Sequence, residues 1–287
     1  MAKALKVLRG DLARLTARLH QGNATGGALN TIVDTGELVH LTQADAVVGA
    51  IAYILWDAGG AGAAPEGQWR RITDYNPATW TITLERNLTA AVAVGDVYQV
   101  FLAPLVLDDW DRCINLAIVE SWPEVFDRLQ HEAASTGADD YDLSAVTPIV
   151  EDVLGVAVIP GGDLAGYPVQ VIPAAGWQVH GAPGDSLTVS LRAGPPVGNT
   201  LRFLYAARYA ELEDPDDESG IDQGYLMAAA RAHLYGALAD AAGALADRSG
   251  FMQLMAHWQK VAEARKAALG AQLRSPSAVR GEVKRGG

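Results

Sequence analysis

The sequence predicts an α+β fold, a helical bundle built from distant segments with two inserted antiparallel β modules. Three observations predict it. Apolar spacing switches twice from three-to-four residues to short β-type runs and back, clusters of Gly, Pro and Asn mark the switches, and the last third is alanine-rich at helical spacing. The order helix, β, helix, β, helix, helix is not the regular βαβ alternation of a nucleotide-binding sheet.

Residues 1–20 place Leu5, Leu8, Leu12, Leu15 and Leu19 at helical spacing with Lys and Arg between them, which predicts an amphipathic helix ended by the Gly/Asn/Thr-rich stretch 21–27. Residues 28–103 form the first β module. Strands are expected near 51–56, 68–73, 79–84 and 97–102, with Trp80, Ile82 and Leu84 alternating against Thr81, Thr83 and Glu85. A core helix is expected over 104–134, where Trp110, Ile114, Ala117, Ile118 and Trp122 share one face and Asp108 or Asp109 caps the first turn. Pro123 is expected to kink or restart it before Val125, Phe126 and Leu129.

Residues 140–212 form the second β module, with runs near 150–159, 168–172, 178–180, 186–191 and 201–205 and turns at Pro183-Gly184-Asp185 and Gly194-Pro195-Pro196. Residues 221–273 predict an antiparallel helix pair. Leu226, Ala230, Leu234 and Ala237 lie on one helix, and Leu254, Trp258, Val261 and Leu269 on the other. Pro276 and the glycines at 281, 286 and 287 predict an extended C-terminal arm over 274–287.

The chain has 287 residues, 49% of them hydrophobic and 20% charged, the make-up of a globular protein. Cys113 is the only cysteine, so neither an internal disulfide nor a multi-cysteine metal site is available. The N-terminus lacks a secretory apolar region, and no stretch approaches the roughly 20 apolar residues that cross a bilayer. No membrane association is expected. Charge is unevenly placed: residues 1–19 carry +4 and residues 274–287 carry +3, so the body between them carries −19 of a total of −12. That sign disfavours a generic grip on the DNA backbone, while basic ends on an acidic body suit docking to protein partners.

Chemistry-bearing motifs are sparse. Gly59-Gly60-Ala61-Gly62 lacks the Gly-Lys-Ser/Thr ending of a phosphate loop, no Gly-x-Ser-x-Gly elbow is present, and Cys113 sits in an apolar helical context. The six histidines are scattered, and only His233 and His257 have a route to meeting, across the last two helices. The acidic cluster Glu211, Glu213, Asp214, Asp216, Asp217 and Glu218 lacks the spacing of a calcium loop. Trp56, Trp69 and Trp80 offer a sugar-binding platform, against which packing is the simpler reading. Neither an enzyme nor a cofactor is expected.

The segment Leu107-Asp-Asp-Trp-Asp-Arg-Cys-Ile-Asn-Leu-Ala-Ile-Val-Glu-Ser-Trp-Pro123 resembles the first core helix of phage head-to-tail adaptor proteins, which ends at a Trp-Pro or similar step. The runs 67–75, 80–84 and 94–98 are similar to a β insertion of virion structural proteins, and the C-terminal pair with Tyr225, Ala230, Leu234 and Trp258 fits the same order. The resemblance implies a homo-oligomeric ring, of twelve subunits in the usual case, assembled in the host cytoplasm into the virion. It would sit beneath the portal among other neck or tail proteins and pass DNA through its lumen without catalysis. It further implies core packing by Trp110, Ile114, Ile118, Trp122, Leu234 and Trp258, and portal binding by the arm through Arg274, Val279, Arg280, Val283, Lys284 and Arg285. The alternative is a carbohydrate- or receptor-binding tail module.

Overall fold

The computed structural model describes residues 2–161, 169–183, 187–242 and 247–273. In chain order the elements begin with β1 (Lys3–Ala4), α1 (Leu5–Leu15), β2 (Leu19–Asn23), β3 (Gly26–Ala28), β4 (Thr31–Val33), β5 (Ile51–Trp56), β6 (Trp69–Asn76), β7 (Thr81–Leu84), β8 (Val97–Phe101) and α2 (Leu107–Val119). There follow β9 (Asp127–Ala134), β10 (Asp140–Asp142), β11 (Asp152–Ile159), β12 (Gln170–Ile172), β13 (Trp177–His180), β14 (Thr188–Leu191) and β15 (Thr200–Ala207). The chain then runs through β16 (Glu218–Ser219), α3 (Gln223–Ala242) and α4 (Arg248–Leu273).

These elements contradict the helical bundle with two inserted modules. The protein is sheet-rich, with four antiparallel sheets among the described residues, and these residues divide into two compact units, 2–117 with 211–262 and 118–210 with 263–273. The physical reason lies in where apolar surface is buried. One core is built from strands and loops of the first unit, including Ile32, Ile54, Ile72, Ile82, Tyr98 and Val100, and another from strands and loops of the second, including Val156, Val189, Leu201 and Phe203. No side chain of α1, α2, α3 or α4 belongs to either cluster, so these strands do not merely decorate a bundle; they bury cores of their own.

In the first unit the strand order is β2-β8-β5-β6-β7-β4-β3. The two end strands belong to one stretch of chain, separated only by Ala24 and Thr25. The Ala24 amide donates to the Asp96 carbonyl at 2.8 Å beside β8, and the Thr25 amide donates to the Val33 carbonyl at 2.7 Å on β4. Successive amides of an extended chain point to opposite sides, so the stretch 19–28 lies between β8 and β4 and the sheet closes into a barrel. The apolar alternation of β7, with Ile82 and Leu84 buried and Thr81 and Thr83 half-buried, points its aliphatic side chains into that barrel.

The seam is tightly made. Tyr98 donates its hydroxyl to Asp34 Oδ2 at 2.9 Å, and the other Asp34 oxygen accepts the Gly36 amide at 2.7 Å. Both residues are buried, and burial together with the Asp34 charge pushes the Tyr98 hydroxyl pKa up.

The N-terminal helix is shorter than expected. α1 stops at Leu15, and Leu19 belongs to β2, paired with Phe101. Ala17 takes a left-handed φ of 55°, and the Arg18 amide turns back to the Ala13 carbonyl at 2.9 Å, which ends the helix. Leu5, Leu8 and Leu12 are buried and Leu15 is exposed.

The core helix expected over 104–134 is also corrected. α2 ends at Val119, and residues 127–134 form β9, paired along its whole length with β15 from Asp127↔Ala207 to Ala134↔Thr200. Pro123 has no amide to continue a helix, and Val125 and Phe126, which had matched helical spacing, are buried at the entry to the strand. In the second unit the sheets β12-β11-β15-β9 and β10-β14-β13 share one core, to which Tyr141, Val189 and Leu191 come from the smaller sheet and Val153, Val156, Phe203 and Tyr205 from the larger. It is a small β-sandwich.

Candidate functional site

Of the residues singled out by sequence, Trp110, Ile114 and Ile118 lie on α2. Its N-terminus is fixed by Asp109, whose carboxylate accepts the Val106 amide at 3.0 Å, the reciprocal half of a capping box. The helix buries Trp110, Cys113, Ile114, Ala117 and Ile118, while Leu116 and Val119 remain exposed on its outer side. Phe101 of β8 meets the Trp110 ring with centroids 5.7 Å apart. Burial among these groups pushes the Cys113 thiol up to about 12, so at neutral pH it is a protonated packing residue and a poor nucleophile.

α3 joins this layer through its first turn. Asp222 caps it by accepting the Tyr225 amide at 2.8 Å, and the buried Tyr225 hydroxyl donates to the Ala117 carbonyl at 3.1 Å. Leu234 is fully buried. Trp258 is half-buried and packs in α4 beneath the Arg231 guanidinium, 4.1 Å from its ring centroid. Trp122 is half-buried in the second unit, edge-on to Phe126 at 6.3 Å with the Arg208 guanidinium 5.5 Å from its ring. The arm residues Arg274, Val279, Arg280, Val283, Lys284 and Arg285 lie outside the described residues, as does part of the expected turn at Pro183-Gly184-Asp185.

The acidic cluster at 211–218 has a structural use. Its backbone caps α1: the Leu5 amide donates to the Asp217 carbonyl and the Lys6 amide to the Pro215 carbonyl, each at 2.9 Å. The Asp217 carboxylate accepts the Glu213 and Asp214 amides, which lowers its pKa. Lys6 bridges Asp216 at 2.7 Å and Glu66 at 3.2 Å, and the Asp216 hydrogen bond leads in raising its pKa. Among the described residues, no group of three or more His, Cys, Asp or Glu side chains is placed to hold a metal ion. His257 stands edge-on to Trp258 at 5.2 Å. Nor is any described helix long and apolar enough to cross a membrane.

Sequence reasoning missed Arg9. It is buried on α1 and donates Nε and Nη2 to the two carboxylate oxygens of Asp111 on α2, both at 2.7 Å, while its guanidinium lies 5.3 Å from the Tyr53 ring. The signal was present, since Arg9 is four residues after Leu5 and therefore shares its buried face. The tryptophans divide. Trp80 packs against the barrel core, whereas Trp56 and Trp69 stay 43% and 38% exposed on the barrel wall. Compared with known family models, curated proteins and solved structures, the chain matches none of them.

Proposed function

We propose that the chain is a non-enzymatic virion structural subunit, a head-to-tail adaptor of a tailed bacteriophage that forms a ring beneath the portal. The observation that carries this reading is α2: the segment resembling the adaptor core helix is helical over Leu107–Val119, buries Trp110, Ile114 and Ile118, and is followed by the Trp122-Pro123 step. Charge supports the same reading. A ring whose subunit bodies carry −19 repels a duplex in its lumen and lets it slide, where a basic channel would retain it through phosphate contacts. The basic segment 274–287 serves as the portal-binding arm in this proposal.

Electron microscopy of the purified chain with and without its portal tests it. Rings with a central channel that join the portal are expected, and deletion of residues 274–287 should spare folding but abolish attachment. A chain that neither forms rings nor binds the portal rules the reading out. A second reading, a carbohydrate- or receptor-binding tail module, is favoured by the exposure of Trp56 and Trp69 on one barrel wall. Saturable binding on a glycan array, lost on replacing both with Ala, would select it instead.

A further inference from the structure

Four strands form the sheet edges of the second unit, and three of them are short: β10 and β12 have three residues each and β13 has four. β9 has eight, paired with β15 from end to end without a register shift. A long, unbulged edge is a template for a further strand. The hydrogen-bond pattern shows which groups that strand would meet. Just past β9 the Ser135 amide donates to the Asn199 carbonyl at 2.8 Å, so the odd-numbered residues of β9 turn their amides and carbonyls toward β15 and the even-numbered ones turn theirs away. Gln130, Glu132 and Ala134 therefore present their backbone groups along one edge, and among the described residues no backbone group takes them. Their side chains are exposed, on the face opposite Leu129 and Ala133, which pack against the core.

Reach and charge say what covers this edge. The end of α4 lies at the start of β9: Lys266 bridges Glu124 at 2.9 Å, and a Cβ on Gly270 would stand 3.1 Å from the Glu124 carbonyl oxygen. Arg280 is seven residues past Leu273 and Glu132 eight past Glu124, so at about 3.3 Å per residue an extended arm brings the two level. Residues 118–210 hold four arginines and no lysine against eleven Asp and Glu, a charge of −7, while 274–287 carry +3. Val279, Gly281 and Val283 alternate with Arg280, Glu282 and Lys284, the period of a strand with one apolar and one charged face.

We propose that residues 278–284 add to the free edge of β9 in the same chain, as a parallel strand with Arg280 beside Glu132. The arm starts near the first residues of β9 and runs toward its last, which makes the pairing parallel. In that register the amides of Val279, Gly281 and Val283 face the β9 carbonyls, and their side chains extend the inner face of the sheet beside Leu129 and Ala133. Arg202 donates Nε at 2.8 Å and Nη2 at 2.6 Å, both to Glu132 Oε1, so Oε2 remains for a second cation. The proposal does not rest on the ring reading; it names where the arm lies when no portal holds it.

Amide hydrogen exchange, read residue by residue by NMR on the full chain, tests the contact. The Gln130, Glu132 and Ala134 amides should exchange about tenfold or more slowly in the wild type than in the variant Val279→Pro/Gly281→Pro/Val283→Pro, which keeps the arm's length and charge but removes its donors. The Leu129, His131 and Ala133 amides, bonded to β15, should be unchanged, which separates loss of the contact from loss of the fold. Arg280→Glu should lower the protection of the same three outward amides, and more so at low salt. Equal exchange of those amides in the wild type and the proline variant overturns the contact. Protection that grows with protein concentration also overturns it, because the arm would then lie on another copy. Ring formation is read separately by electron microscopy and is unaffected by either result.

Discussion

Arg9 shows how one side chain ties a helix to its surroundings. Its guanidinium is 4% exposed and its bidentate partner Asp111 about a quarter exposed, so the pair is desolvated on one side only. Breaking a buried pair by removing one partner strands the other; with Asp111 part-solvated, Asp111→Asn should cost about 2–3 kcal/mol in urea unfolding. Replacing both, Arg9→Met with Asp111→Leu, should restore most of that loss, because neither charge is then left unpaired. Ile118, 1% exposed on α2, is a simpler case: Ile118→Ala should cost about 2–5 kcal/mol, and a change within error would show that this face is not packed. Lys6 adds a pH dependence. Its folded pKa is raised, so its contribution is fully present below the free lysine range and is lost as pH rises through the folded value. Thermal melts of the wild type should fall at alkaline pH more steeply than those of Asp216→Asn.

At the scale of elements the seam of the barrel is the sensitive place. A Cβ on Gly22 would press on the Asp34 carboxylate and the Tyr98 hydroxyl, both buried. Gly22→Val should therefore cost about 1–3 kcal/mol by overpacking, read from the denaturation midpoint, with hydrogen exchange rising first in β2 and β8. The same seam explains what sequence could and could not reveal. The strands β5 to β8 overlap the expected runs because Ile51, Ile72, Ile82 and Val100 sit in alternating or β-branched contexts that favour strands locally. Leu19–Asn23 and Gly26–Ala28 contain no β-branched residue; the first is a strand because the distant β8 flanks it, a nonlocal cause, and the second because it folds back on β4 in a tight hairpin. β9 was hidden by Val125, Phe126 and Leu129 falling at helical spacing, and Pro123 was the signal that should have outweighed them. Around α2, Trp110, Ile114 and Ile118 were legible as a periodic face. The Arg9–Asp111 pair was not, since it joins residues far apart in sequence.

For the whole molecule, a core of strand and loop residues in each unit implies two stability units among the described residues. Ile72→Ala should accelerate hydrogen exchange throughout the barrel strands while leaving β11 and β15 near wild-type protection. Uniform acceleration across both units would mean that they unfold as one. The acidic body predicts weak DNA binding even if the proposed ring encloses a duplex: fluorescence anisotropy should show no saturable binding at physiological ionic strength. Tight binding there would sink the channel.

The closed barrel also has a consequence for synthesis. The stretch 19–28 emerges from the ribosome early, yet its partner β8 follows some eighty residues later, as the pairing of His20 with Val100 requires. At translation speeds of about 5–20 residues per second, that segment waits several seconds with one edge open. An open apolar strand invites pairing with other nascent chains. The waiting segment reads Leu-His-Gln-Gly-Asn and then Gly-Gly-Ala, polar and glycine-rich, while the more adhesive Ile51–Trp56 waits a shorter time and Val97–Phe101 arrives as the barrel can shut. Of the barrel strands, the one that waits longest for its partner is thus polar and poorly suited to aggregate.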